Sequence, residues 1–188
     1  MVNEIRIDLL LALFREVSNR YCEPAQVYVL GGGALLLLGS TRPTVDIDFF
    51  GNDVDKTDIQ LTIDDVAKEM SIDVDAVPLD EFIPLDYDST SRHRFITKYG
   101  NLDVFVFDPY SICISKLDRG FDYDIDDIVY LVRNGFVVLE NLAHLLEEAL
   151  AVSFGFDIDS AECRRNLHEV EDLCFGSSDC DNRASSFI

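Results

Sequence analysis

The sequence predicts an α/β protein of the α+β kind, a small mixed β-sheet flanked by helices and followed by a helical C-terminal part. Three stretches predict it. Residues 27–50 read strand, glycine turn, short helix, strand; residues 92–107 read as a hairpin; and from Pro109 onward apolar residues recur at helical spacing. A chain of 188 residues is the size of one compact unit. We expect that unit over residues 1–175, with a sheet core at 22–108, a helical part at 109–175 and a flexible tail at 176–188.

The elements follow in order. Ile5, Leu9, Leu10, Leu13, Phe14 and Val17 return every three or four residues, which predicts a helix over 3–21 with Asn3 as its cap. Val27, Tyr28, Val29 and Leu30 suit a buried strand, and Gly31, Gly32 and Gly33 let the backbone turn and approach another group closely. A short apolar helix, 34–38, should start there with its free N–H groups at the glycines, an arrangement that attracts phosphate. Pro43 excludes helix. Val45-Asp46-Ile47-Asp48-Phe49 then alternates apolar and acidic residues, which puts both aspartates on one strand face.

Past a turn at 51–53, Leu61 to Met70 reads as a helix with Thr62 as cap and Asp65 three residues on. The acidic stretch 71–88 holds an edge strand at Val74, Ala76 and Val77 before Pro78, and a solvated loop or lid. In the hairpin, a two-residue Gly100-Asn101 turn pairs Tyr99 with Leu102 and Lys98 with Asp103. That register places Arg94 and Lys98 on the Asp103 face, free to meet phosphates or to neutralise aspartates, and turns His93 to the other face in a structural role. A helix begins at 111–117, and in the next one Asp124 and Asp127 share a face. Segments 138–154 and 161–175 are helical, and Gly176 ends the last.

Composition excludes several classes. The net charge of -21 repels nucleic acid and anionic membrane over most of the surface, and suits a salt-rich habitat or a basic partner protein. The apolar run at 27–38 is too short to cross a bilayer, and the N-terminus is amphipathic rather than signal-like, so a cytoplasmic protein is expected. Five cysteines are an odd number, read most simply as reduced thiols. A zinc site from Cys163, His168, Cys174 and Cys180 fits no familiar ligand spacing.

Asp46 and Asp48 repel each other unless a cation lies between them, and hard oxygen ligands favour magnesium or manganese. A phosphate turn and a cation site at the two ends of one helix form a joint signal, although alternating aspartates also occur on plain solvated strands.

These residues resemble the DNA polymerase β-like nucleotidyltransferase superfamily. Leu30-Gly31-Gly32, or Gly32-Gly33, followed by Asp46-Ile47-Asp48-Phe49 matches its signature, and Leu102-Asp103-Val104 matches its third carboxylate between apolar residues. Arg42-x-Thr44 looks like the AbiEii-type toxins and related small prokaryotic nucleotidyltransferase-fold proteins. So does the run from Lys116 through Arg119 and Gly120 to Asp124 and Asp127, with Tyr123 where that group has lysine.

The resemblance covers residues 27–127 and implies a nucleotidyltransferase fold with two-metal transfer of a nucleoside monophosphate from a nucleoside triphosphate to an acceptor hydroxyl. The acceptor would be an RNA such as tRNA, or a protein, in a toxin–antitoxin setting. It implies Asp46, Asp48, Asp103 and Asp124 as catalytic residues, the first three of them holding Mg2+ or Mn2+. Gly31, Gly32, Gly33, Arg42, Thr44, Lys98 and Lys116 would bind the nucleotide. Two other classes compete: a catalytically silent binding module of the same fold that grips a basic partner, and a halophile-adapted α/β domain of unrelated role.

Overall fold

The computed structural model describes residues 4–51, 56–78, 89–152 and 158–176. Asn3, residues 52–53 of the expected turn, 79–88 of the acidic stretch, Phe154, Cys180 and the tail beyond 176 lie outside them. The chain divides into two compact units, Met1–Ile112 and Cys113–Ile188.

The first unit is built on a five-stranded mixed sheet. Its strands are β1 (Ala25–Val29), β2 (Asp46–Phe50), β3 (Asp73–Val77), β4 (Arg94–Tyr99) and β5 (Leu102–Val106), in the order β3-β2-β1-β5-β4. β2 and β3 run parallel, as do β1 and β5, whereas β1 with β2 and β4 with β5 are antiparallel. Strand alternation sorts the side chains. Val27, Val29, Ile47, Phe49, Val104 and Val106 enter one buried cluster with Leu10, Leu13, Phe14 and Val17 of helix α1 (Ile7–Arg20) and Ile63, Val66 and Ala67 of helix α3 (Asp58–Met70). Asp46, Asp48, Tyr28, Asp103 and Phe105 alternate with those residues and face the other way.

Two helices begin elsewhere than their periodicity predicts. α1 starts at Ile7 because Ile5 is drawn into a bridge with Thr44, each N–H donating to the other's carbonyl at 2.7 and 3.0 Å. α3 starts at Asp58 rather than Leu61. Thr57 is its cap, and the Gln60 side-chain oxygen accepts from the Thr57 N–H and hydroxyl at 3.0 and 3.1 Å. Thr62 instead bonds back to the Asp58 carbonyl inside the helix.

The hairpin has the expected turn and pairs, Tyr99 with Leu102 and Lys98 with Asp103, but a bulge follows between Phe95 and Thr97. The extra residue reverses the faces beyond it. Arg94 therefore pairs with Val106, on the face opposite Lys98 and Asp103. His93 turns to the Asp103 side, its ring 4.7 Å from that of Tyr28 and 4.6 Å from that of Phe107. The sequence reading had these two residues exchanged.

Helix α4 (Pro109–Arg119) begins in the first unit and ends in the second, and is capped by Asp108, which accepts from the Tyr110 N–H at 3.0 Å and the Ser111 hydroxyl at 2.7 Å. Arg92 grips the same carboxylate with two bonds of 2.9 and 2.6 Å, and Asp108 is fully buried. The second unit continues with α5 (Asp122–Arg133), α6 (Leu139–Val152) and α7 (Ser160–Phe175). The Asn166 amide of α7 donates to the Leu117 carbonyl at 2.8 Å. Among the described residues no helix is long and apolar enough to cross a membrane.

Candidate functional site

The glycine turn and the two aspartates of β2 meet through the backbone. The Leu30 N–H donates to the Asp48 carbonyl at 2.8 Å, so the end of β1 lies level with Asp48. Helix α2 (Gly31–Leu37) takes the glycines into its first turn rather than following them. Gly31 has φ +53°, and a β-carbon there would fall on the Asp48 carboxylate; one on Gly32 would strike the Thr44 hydroxyl. Only glycine gives both the left-handed conformation and this approach. Thr44 is buried, and its hydroxyl donates to Asp46 Oδ1 at 3.3 Å, so it orients a carboxylate.

A third carboxylate joins them. In the parallel register of β2 and β3, Asp46 lies beside Asp73 and Asp48 beside Asp75. Oxygen atoms of Asp46, Asp48 and Asp75 all lie within 4.8 Å of one another, with Asp46 and Asp48 half-buried and Asp75 exposed. Three carboxylates at this spacing, with no sulfur or imidazole among them, form a donor set that fits a hard divalent cation. Asp75 was missed although its signal was present, because Asp73-Val74-Asp75-Ala76 repeats the apolar and acidic alternation of Val45 to Phe49.

Asp103, expected in this place, is not brought to the group. It pairs with Gln26 on β1, four residues before the Leu30 level of Asp48, an offset of about 13 Å along the strand. There it accepts from Lys98 Nζ at 2.8 Å in a partly exposed pair. Arg42 is exposed on the loop ahead of Thr44.

Lys116 and Asp124 also stand differently from the expectation. Lys116 is only 3% exposed, and its ammonium donates to Asp124 Oδ1 and Asp127 Oδ2, each at 2.8 Å. Arg119 adds a bond to Asp124 Oδ1 at 2.7 Å. Two cations and two carboxylates thus form a neutral cluster inside the second unit, in which Lys116 is a brace between helices rather than an open phosphate ligand. Asp124 Oδ2 is enclosed without a hydrogen-bond partner among the described residues. Tyr123 is partly exposed and stacks on Phe121 with ring centroids 5.3 Å apart.

Burial pushes the His93 imidazole below its ordinary pKa, with a smaller raising effect from Asp108 and a smaller lowering one from Arg92. Its Nδ1 has no hydrogen-bond partner among the described residues. Among the described residues, Cys22, Cys113, Cys163 and Cys174 form no disulfide.

Residues 8–170 match the family described as nucleotidyltransferase of unknown function (DUF6036), and the chain belongs to that family. No curated protein and no solved structure shows significant similarity to it.

Proposed function

We propose that the chain is a metal-dependent nucleotidyltransferase that moves a nucleoside monophosphate from a nucleoside triphosphate to a hydroxyl of an RNA, such as tRNA, or of a protein. The observation that carries this reading is the group of Asp46, Asp48 and Asp75 beside the glycine turn, in a chain of a nucleotidyltransferase family. Magnesium or manganese held by these three carboxylates would supply charge neutralisation for the phosphates and a more acidic acceptor hydroxyl.

The chain's own residues do the rest. Thr44 holds Asp46 in place, and the close fit of Asp48 on Gly31 sets the carboxylates against the turn whose N–H groups would receive phosphate oxygens. The acceptor oxygen bonds to the α-phosphorus, the bond from that phosphorus to the β-phosphate oxygen breaks, and pyrophosphate leaves. A carboxylate of the group takes the hydroxyl proton. Arg42, exposed on the loop ahead of Thr44, would offset charge on the pyrophosphate; Lys98, bound to Asp103 at the Gln26 level on β4, lies too far from the group to do so.

The AbiEii-like motifs suggest a toxin–antitoxin role, in which a surface of net charge -21 would suit a basic partner protein. Pure protein, magnesium and each labelled nucleoside triphosphate, incubated with extract of its own cells, should label an RNA or a protein. An absence of label with every nucleotide would remove the catalytic reading and leave the binding module.

A further inference from the structure

The sheet face that bears Asp46 and Asp48 also bears a row of aromatic rings. Tyr28 of β1 pairs with Phe105 of β5, Phe105 pairs with Phe95 of β4, and the Val29–Phe49 pair sets Tyr28 opposite Phe50 of β2. Four rings from four strands therefore share one level. Tyr28 and Phe105 stack with centroids 5.1 Å apart and planes 22° apart, and Phe95 meets Phe105 edge-on at 5.5 Å.

These rings lie outside the fully buried core cluster, although Tyr28 and Phe50 pack against it. Tyr28, Phe50 and Phe105 are half-buried and Phe95 is 57% exposed, on a face where a strand commonly carries polar residues. The Tyr28 hydroxyl is held by donating to Gln26 Oε1 at 3.0 Å. Past the Val29–Phe49 pair a cavity of about 650 Å³ opens at the end of the sheet toward α3, lined by Tyr28 and Phe50 together with Val27, Phe49, Ile59 and Ile63 of the core side, and Phe105 does not line it.

We propose that Tyr28 and Phe105, stacked on each other and with the His93 ring 4.7 Å from Tyr28, form with their outward edges the floor against which the base of the nucleoside triphosphate lies. The inference rests on the reading of the acidic group as the triphosphate and metal site. Phe50 lies two residues beyond Asp48 on β2, about 7 Å along the strand, and Tyr28 is its neighbour across the sheet. A base tethered to its phosphates by one sugar reaches that level. The separation of about 7 Å from the Asp48 level, which one sugar spans, favours the base of the bound nucleoside triphosphate over a base of an acceptor strand as occupant. Every base offers a π-face, so the floor accepts all four with little preference.

The test is calorimetric binding of ATP and of inorganic tripolyphosphate, each with magnesium, to the full chain and to Phe105→Leu, Tyr28→Leu and Tyr28→Phe. Leucine keeps apolar bulk and removes the ring; thermal unfolding checks that each variant is folded. The two leucine variants should bind ATP about tenfold more weakly and tripolyphosphate as the parent does, and Tyr28→Phe should keep its ATP affinity. Unchanged ATP binding in both leucine variants, with tripolyphosphate still bound, would overturn the floor and leave the proposed function standing. Ring-dependent ATP binding without tripolyphosphate binding would support the floor and overturn the phosphate site. If neither ligand binds, both readings fall.

Discussion

Asp46 with Asp48 and Asp124 with Asp127 are similar pairs in the sequence, but their surroundings differ. The helical pair is fully enclosed and carries its own cations, Lys116 eight residues before Asp124 and Arg119 five residues before it. The strand pair is half-buried and gains a third carboxylate, Asp75, from the next strand. Adding negative charge to a pair is unfavourable unless something positive joins it, whereas a pair already matched by lysine and arginine needs nothing further. The contrast separates an acidic cluster suited to receiving a cation from one that serves as scaffold.

The largest expected effect falls on the open group. Asp46→Ala should lower nucleotide transfer about a thousandfold, the loss of roughly 4 kcal/mol of transition-state stabilisation, while the melting temperature stays level or rises as repulsion is relieved. A comparable fall in melting temperature would show that Asp46 is structural. The enclosed group should respond the opposite way. Lys116→Met removes the buried cation shared by Asp124 and Asp127, leaving Asp124 its bond to Arg119, and should cost about 3–5 kcal/mol in urea unfolding, recovered when Asp124→Asn and Asp127→Asn are added. Normal stability with lost triphosphate binding would return Lys116 to the role of phosphate ligand.

A smaller difference separates the two candidates for the third carboxylate. Asp75→Asn should weaken magnesium-dependent nucleotide binding about tenfold, and Asp103→Asn should leave it within about twofold, since Asp103 sits near Gln26 with Lys98. The reverse ranking would restore Asp103 to the site.

The strands, the hairpin turn and the Asp46–Asp48 face were legible because period-two alternation and Gly100-Asn101 are local signals. Which third carboxylate joins them was not, because it depends on strand order. Asp103 sits between apolar residues as the superfamily pattern asks, yet β3, not β5, is the neighbour of β2 on the side away from β1. The bulge that exchanges Arg94 and His93 leaves no glycine or proline at Ile96 to announce it. The burial of Lys116 is likewise tertiary: its spacing to Asp124 is visible, but its enclosure is not. Asp108 ahead of Pro109 and Ser111 is a readable cap, whereas its partner Arg92 is fixed only by the fold.

The smallest effect concerns the enclosed region at alkaline pH. Burial, with the Asp118 charge as a lesser cause, pushes the Cys163 thiol up to about 11 from an ordinary value of 9.0. Its Sγ lies 3.9 Å from Asp118 Oδ1. Between those two pH values the unfolded chain has released the proton and the folded chain still holds it, so proton release favours unfolding and stability falls as pH rises from 9 to 11. Cys163→Ala should flatten that slope in urea titrations taken at several pH values. The same cause protects the thiol from reagents, because the thiolate is the reactive form. At pH 8 the exposed Cys22 should react quickly with a disulfide reagent and Cys163 only on unfolding; equal rates would show that the second unit opens far more readily than its buried ion cluster implies.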